Sequence, residues 1–555
     1  MSKKLLMLLF VGLLSSVLLL AACSSDETAQ ESSDGTDEET ESPEAPAGDG
    51  RTLHLNNGQE PTSLDPPIGN DEYSYNILNN VMEGLTRLAK DAPVPEPAMA
   101  ESWDVSDDGL VYTFHIREDA EWTNGEPVTA YDFEYSFKRL ADPETASPAA
   151  SHSYWIAGAE AYNSGEGSEE DMLVEALDEG TLEVTLTYPI DFFLSIVAMP
   201  QMFPVHQETV EADANWAGSV DTLVTNGPFT ITEWAHDDYL VVEKNETYWD
   251  ANTVEVERIE YVMVDDENTA FSLYQAGDLH VSSVPADLGE EYLDHPEMYM
   301  APRSGIEYQF FHTQTEPFQN KNIRKAFMYA INREDIVEFV NKSGEPAAYG
   351  WVHPDFEHPA GGTWGDNVGH YFEYDPEKAR ELLALGMEEE GYDELPTVTL
   401  SYNTSDLHST RSQALQEMIR ESLDIEVELF NQEWEVFRDR SNEGEFHYFR
   451  GSYLGGYNDP INYLDNFLPG SGFNRGDWEG EVHQQYVDIV NASYEEADPE
   501  KRFELLMEAE ELLMEEAIVN PIYFYNRSYL VNPEVENVIT HFVGFTELKW
   551  ARFVD

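Results

Sequence analysis

The chain holds one cysteine, Cys23, in 555 residues, so no disulfide can form within it. Basic residues are scarce as well: 29 Lys and Arg stand against 110 Asp and Glu, a formal charge of −81. That balance excludes nucleic acid as a partner, because phosphate recognition needs clustered Lys and Arg. No long apolar segment follows residue 20, and there is no internal repeat, no Gly-x-Ser-x-Gly elbow and no His-Glu-x-x-His. The signatures of a secreted serine or zinc hydrolase are therefore missing. Glycosidase-type carboxylate pairs occur by chance among 110 acids, so they argue nothing. His353, His358, His370 and His408 lack metal-ligand spacing, and neither metal nor cofactor is expected.

What is present begins with a targeting segment. Lys3-Lys4 precede an apolar stretch over residues 5–20, and Leu20-Ala21-Ala22-Cys23 closes it with small residues, the pattern of an exported protein. The stretch is too short for a membrane span, which needs roughly 20 apolar residues. The site resembles the lipobox of bacterial lipoproteins, which implies cleavage after residue 22 and lipid on Cys23, leaving the body anchored outside the plasma membrane by lipid alone. Residues 24–50 carry ten acids, no base and few large apolar side chains. Such a segment cannot bury enough surface to fold and reads as an extended tether.

The remainder, in a chain 41% hydrophobic and 12% aromatic, suffices for two or three lobes. A charge of this size strains the compact state unless salt screens it, which points to a saline or alkaline habitat and a halophilic type of surface. From 398 to 465 the periodicity switches in a β-α-β-α-β order: strand over 398–402, amphipathic helix over 410–422, alternating strand over 425–430, short helix over 433–439, strand over 446–450. Such units make parallel strands with right-handed crossovers, and ligands gather outside their carboxyl ends. The turns there read Asn403-Thr404-Ser405-Asp406-Leu407-His408, Asn431-Gln432-Glu433-Trp434 and Ser452-Tyr453-Leu454-Gly455-Gly456-Tyr457-Asn458-Asp459-Pro460. Elsewhere, 79–88 reads as helix, 270–276 as a helix capped by Gly277, and Ile323, Ala326, Phe327, Ala330 and Ile331 as a core-facing stripe. Asp375-Pro376 and Asp498-Pro499 read as N-caps followed by proline at the first helical position.

These turns, with Pro61-Thr62-Ser63-Leu64-Asp65-Pro66, Trp122-Thr123-Asn124-Gly125-Glu126-Pro127 and Thr225-Asn226-Gly227-Pro228-Phe229, closely resemble segments of the oligopeptide-binding proteins that feed ABC importers. The resemblance runs from about residue 51 to the C-terminus. It implies a two-lobed α/β clamp of the periplasmic-binding-protein type (type II, large subclass) with an additional third domain. Lobe I would comprise 51–87, 219–304 and 525–555, the extra domain 88–218, and lobe II 305–524. It further implies a monomeric, non-enzymatic protein whose partners are an oligopeptide and the permease subunits of the importer. Relatives of this fold bind nickel complexes or haem, so a non-peptide cargo, including an oligosaccharide, stays open.

Residue by residue, the resemblance places Trp434 and Tyr453 at pocket-lining aromatic positions, although Trp434 also fits a core aromatic. Arg450 and His408 fall where a ligand carboxylate is received; His408 also fits a histidine at a capped helix start. Gly455, Gly456, Asn458 and Asp459 form the adjoining turn. Related binders carry an aspartate at the position of Gly456 to pair with the ligand's α-amine. Here that carboxylate is missing, so Asp459, Asp71 or Glu72 takes its place, or the ligand has no free amine there.

Overall fold

The β-α-β-α-β run forms, with strands Val398–Asn403, Val427–Gln432 and Tyr448–Leu454 and helices Asp406–Leu423 and Trp434–Asn442 between them. In this computed structural model, which describes residues 52–92, 94–285 and 288–554, the first strand is central and parallel to both others. The three carboxyl ends therefore open on one side. Cys23 and the tether lie outside the described residues. Two boundaries differ from the periodicity. The first helix starts at Asp406, not 410, because the Ser405 hydroxyl accepts the His408 N–H at 3.1 Å, satisfying a first-turn donor that has no partner within the helix. The third strand continues to Leu454 because residues 305–311 pair with it antiparallel, from Gly305 opposite Leu454 to Phe311 opposite Tyr448. Arg450, expected at a strand end, thus sits inside a strand.

That pairing builds a six-stranded sheet in the order Val281–Ser283, Val519–Val531, Met298–Phe311, Tyr448–Leu454, Val398–Asn403, Val427–Gln432. Met298–Phe311 and Val519–Val531 are long and antiparallel to one another. Their register slips between Pro302 and Ile306, opposite Asn526 and Phe524, which is a bulge and a local bend. A four-stranded sheet forms the other lobe: Thr52–Asn56 lies parallel to Arg258–Val262, followed by Tyr239–Lys244 and Phe229–Ala235.

A third sheet, all antiparallel, is ordered Ala100–Val105, Val111–Ile116, Thr181–Thr185, Val174–Asp178. Its period-2 pattern buries Tyr112, Phe114, Ile116, Leu182 and Val184 under helix Ala130–Ala141. This body touches the second lobe: Phe192 stacks on Tyr457 with ring centres 5.3 Å apart, and Arg502 lies 4.9 Å over the Phe192 ring.

Helices Lys321–Tyr329, Pro376–Glu390 and Pro499–Glu515 form at their expected places, the last two capped by Asp375 and Asp498. Gly277 ends helix Glu267–Ala276 at φ 85°, a left-handed position where glycine costs nothing. The expected helix over 79–88 is corrected. The helix is Glu72–Val81 and a strand, Thr86–Leu88, follows it. Asp71 starts the helix by capping Ser74 N–H, and Gly84 passes so close to Val197 that a Cβ there would stand 2.5 Å from the carbonyl oxygen.

Candidate ligand-binding cleft

Each of the three strand-end turns presents one large apolar side chain to solvent: Leu407, Trp434 and Leu454 are 41%, 50% and 52% exposed. Trp434 opens its helix and faces outward rather than filling the core. Tyr453 lies inward, among Trp351, Tyr463 and Phe473, with its hydroxyl donated to the Asn462 carbonyl. The adjoining turn is pinned by its backbone. Gly455 N–H donates to the Ser304 carbonyl at 3.0 Å and Gly456 N–H to Asn462 Oδ1 at 2.7 Å. A Cβ on Gly455 would stand 2.2 Å from Ser304 Oγ, whereas one on Gly456 meets only His152 Nε2 at 3.6 Å. Asn458 is half-buried in the same turn.

Beneath the turns lies a buried charge cluster. Glu307 receives Arg450 in a bidentate pair, Nε at 2.8 Å and Nη2 at 2.7 Å, and also Arg411 Nη1 at 3.1 Å and the Tyr525 hydroxyl at 2.8 Å. Burial alone raises the Glu307 pKa, but Arg450 and Arg411 pull it down to about 2. Arg450 is held above its ordinary value against burial by the same pair, and its Nη1 donates to Asn403 Oδ1 at 3.0 Å. His408 shifts the other way, lowered by burial and then by Arg450. Its Nδ1 lies 3.2 Å from the Asn403 carbonyl. A carbonyl only accepts, so Nδ1 carries the proton and Nε2 of the neutral ring keeps a lone pair. Arg450 and His408 thus meet at one place, Arg450 as a charged group already paired and His408 as a neutral one.

The three acids considered as amine partners are engaged elsewhere. Asp71 caps its helix, accepting the Ser74 N–H at 2.9 Å and the Ser74 hydroxyl at 2.8 Å. Asp459 is gripped by Arg502 through Nη1 at 2.9 Å and Nη2 at 2.6 Å. Glu72 bridges Arg303 and Arg527 on the wall of a cavity of about 530 Å³ beside the crossing strands. Among the described residues no group of three or more His, Cys, Asp and Glu is arranged to hold a metal ion.

Glu307, Arg411, Tyr525, Arg303 and Arg527 were not singled out by sequence reasoning. One signal for Glu307 exists: it is the single charged residue in the stretch Ile306-Glu307-Tyr308-Gln309-Phe310-Phe311. The arginines meet it only through tertiary packing across more than a hundred residues, Arg450 from the paired strand and Arg411 from helix Asp406–Leu423.

The two-lobed α/β architecture is shared with known proteins. The chain is 44% identical over 501 residues to the dipeptide-binding protein DppE of Bacillus subtilis, covering 90% of this chain and 92% of that protein. It is 36% identical over 512 residues to the oligopeptide-binding protein OppA of the same organism, covering 90% and 92%. Among solved structures, the unliganded open form of the periplasmic murein tripeptide-binding protein MppA superposes with a TM-score of 0.77 at 28% identity, over 91% of this chain and 98% of that one. Residues 94–475 match the family model described as bacterial extracellular solute-binding proteins, family 5 Middle. With a match of that extent and a shared two-lobed fold, the chain belongs to the family 5 extracellular solute-binding proteins.

Proposed function

We propose that this protein captures short peptides outside the cell and delivers them to an ABC-type importer. The observation that carries the reading is the near full-length similarity to proteins named for dipeptide and oligopeptide binding, on a cleft whose three turns expose Leu407, Trp434 and Leu454. An extended peptide laid along the strand ends engages mainly through its main chain, which reads no sequence, while its side chains rest on these apolar surfaces. The paired strands Met298–Phe311 and Val519–Val531 serve as the hinge, bending at the bulge near residues 302–306. Gly455, Gly456 and Asn458 shape the wall with Tyr453 packed behind it, and Arg450 with the neutral His408 forms its polar base. Lipid on Cys23 holds a monomer on the outer face of the plasma membrane. Affinity need only be micromolar, about −8 kcal/mol, since the importer must strip the cargo off.

Native mass spectrometry of the mature chain, purified without denaturation, tests the reading. A ladder of masses matching short peptides is the expected result. A single sugar, metal chelate or haem would overturn the cargo while leaving the fold intact.

A further inference from the structure

The charge around the crossing strands runs against that of the molecule. In a chain of −81, four guanidiniums gather on two carboxylates in adjoining clusters. Strand Val519–Val531 links them. Tyr525 donates to Glu307 in one cluster, and Arg527, two residues on and so on the same face, pairs with Glu72 in the other.

In the first cluster Arg411 is buried, Arg450 is partly buried, and both are committed to Glu307. The second is open. Arg303 and Arg527 line the cavity of about 530 Å³, each gives Nη2 to Glu72, and among the described residues neither has a second acceptor. Two guanidiniums on one carboxylate leave a surplus positive charge. Burial, and next the Arg527 charge, push the Arg303 pKa below its ordinary value, a crowding that an anion between them relieves. Glu267 also borders the cavity but is solvent-exposed, where water and salt screen it.

Resting on the peptide reading above, we infer that the Arg303–Arg527 cavity seats a carboxylate of the ligand, so that this protein prefers peptides carrying negative charge. The planar fork of a guanidinium matches a carboxylate in two hydrogen bonds. The carboxylate has two possible sources, an acidic side chain or the peptide's C-terminus.

Calorimetric titration of the mature chain with four probes separates them: an alanine tetrapeptide with one glutamate, its glutamine counterpart, and the C-terminally amidated form of each. A glutamate peptide bound about tenfold tighter than its glutamine counterpart identifies the side chain, and a comparable loss on amidation identifies the terminus. Either supports the inference. Arg527→Gln abolishes the advantage of the anionic probe and leaves the affinity for the amidated glutamine probe nearly unchanged. Glu72→Gln, which frees both guanidiniums, widens it. If Arg527→Gln does not fold, Arg303→Gln carries the same arm. Equal affinities for all four probes, or an advantage that survives these variants, overturn the inference while peptide binding stands. If none of the four binds, the peptide reading itself fails, and this one with it.

Discussion

Two neighbouring glycines in the cleft turn carry opposite expectations. Gly455 has no room, since a Cβ would meet Ser304 Oγ at 2.2 Å and Asn462 Oδ1 at 3.0 Å. Gly455→Ala is therefore expected to displace the turn and cost about 1–3 kcal/mol, read as a lower denaturant midpoint. Gly456 has room, so Gly456→Asp is expected to change stability by no more than about 0.5 kcal/mol. It restores a carboxylate at the turn and should strengthen binding of peptides with a free α-amine over acetylated ones; equal gains for both would refute that role. Glu307 gives a pH signature. Unfolded, it takes up its proton near 4.5; folded, only near about 2. The folded state binds fewer protons in that window, so stability is fully present above about pH 4.5 and is lost as pH falls toward 2. The loss is on the order of 3 kcal/mol. Urea midpoints at pH 5 and pH 3 should show the fall, and Glu307→Gln, weaker at pH 5 because it strands Arg411 and Arg450, should show less of it.

Among the elements, helix Pro499–Glu515 does more than pack. Its Glu510, buried without a cation, accepts the N–H groups of Trp351 and Val352 at 2.7 Å each, the Trp364 indole at 2.7 Å and the Tyr371 hydroxyl at 3.0 Å. One carboxylate thereby fastens the irregular segment 351–371. Glu510→Gln turns an N–H₂ group toward donors and is expected to cost about 1–3 kcal/mol, with faster hydrogen exchange confined to that segment; uniform exchange would argue against the anchor. Burial holds Glu510 up at about 7, so the folded state keeps a proton that the unfolded state releases, and stability declines as pH rises from about 4.5 toward 7. Elements were legible where the signal was local. The 398–465 run and the caps at Asp375, Asp498 and Gly277 follow from periodicity and turn chemistry within a few residues. The extension of the last strand to Leu454, and the helix that stops at Val81, depend on partners more than a hundred residues away, Gly305 and Val197. No local pattern encodes such pairings. The same holds for the candidate site: its turns could be read in order along the chain, whereas Glu307 meets Arg450 through strand register and Arg411 through the packing of a helix.

At the scale of the molecule, the charge of −81 repels itself through any water that does not screen it. The Debye length shrinks from about 10 Å at 0.1 M to about 3 Å at 1 M salt, so the melting temperature is expected to rise between low and molar sodium chloride; a flat profile would remove the case for a saline habitat. The bent crossing strands predict a second whole-molecule observable, a smaller radius of gyration in solution scattering when a saturating peptide is added. A further consequence concerns the rim of the six-stranded sheet. Strand Val427–Gln432 is its last member and, among the described residues, has a neighbour on one side only, leaving backbone donors and acceptors available to another chain. Glu428 and Phe430 are exposed along it, and Arg440 covers the Phe430 ring at 5.5 Å. A protein held on a surface by the lipid anchor proposed above would meet its own copies constantly. Here acidity acts as insulation, keeping one molecule's open sheet margin from being extended by the next.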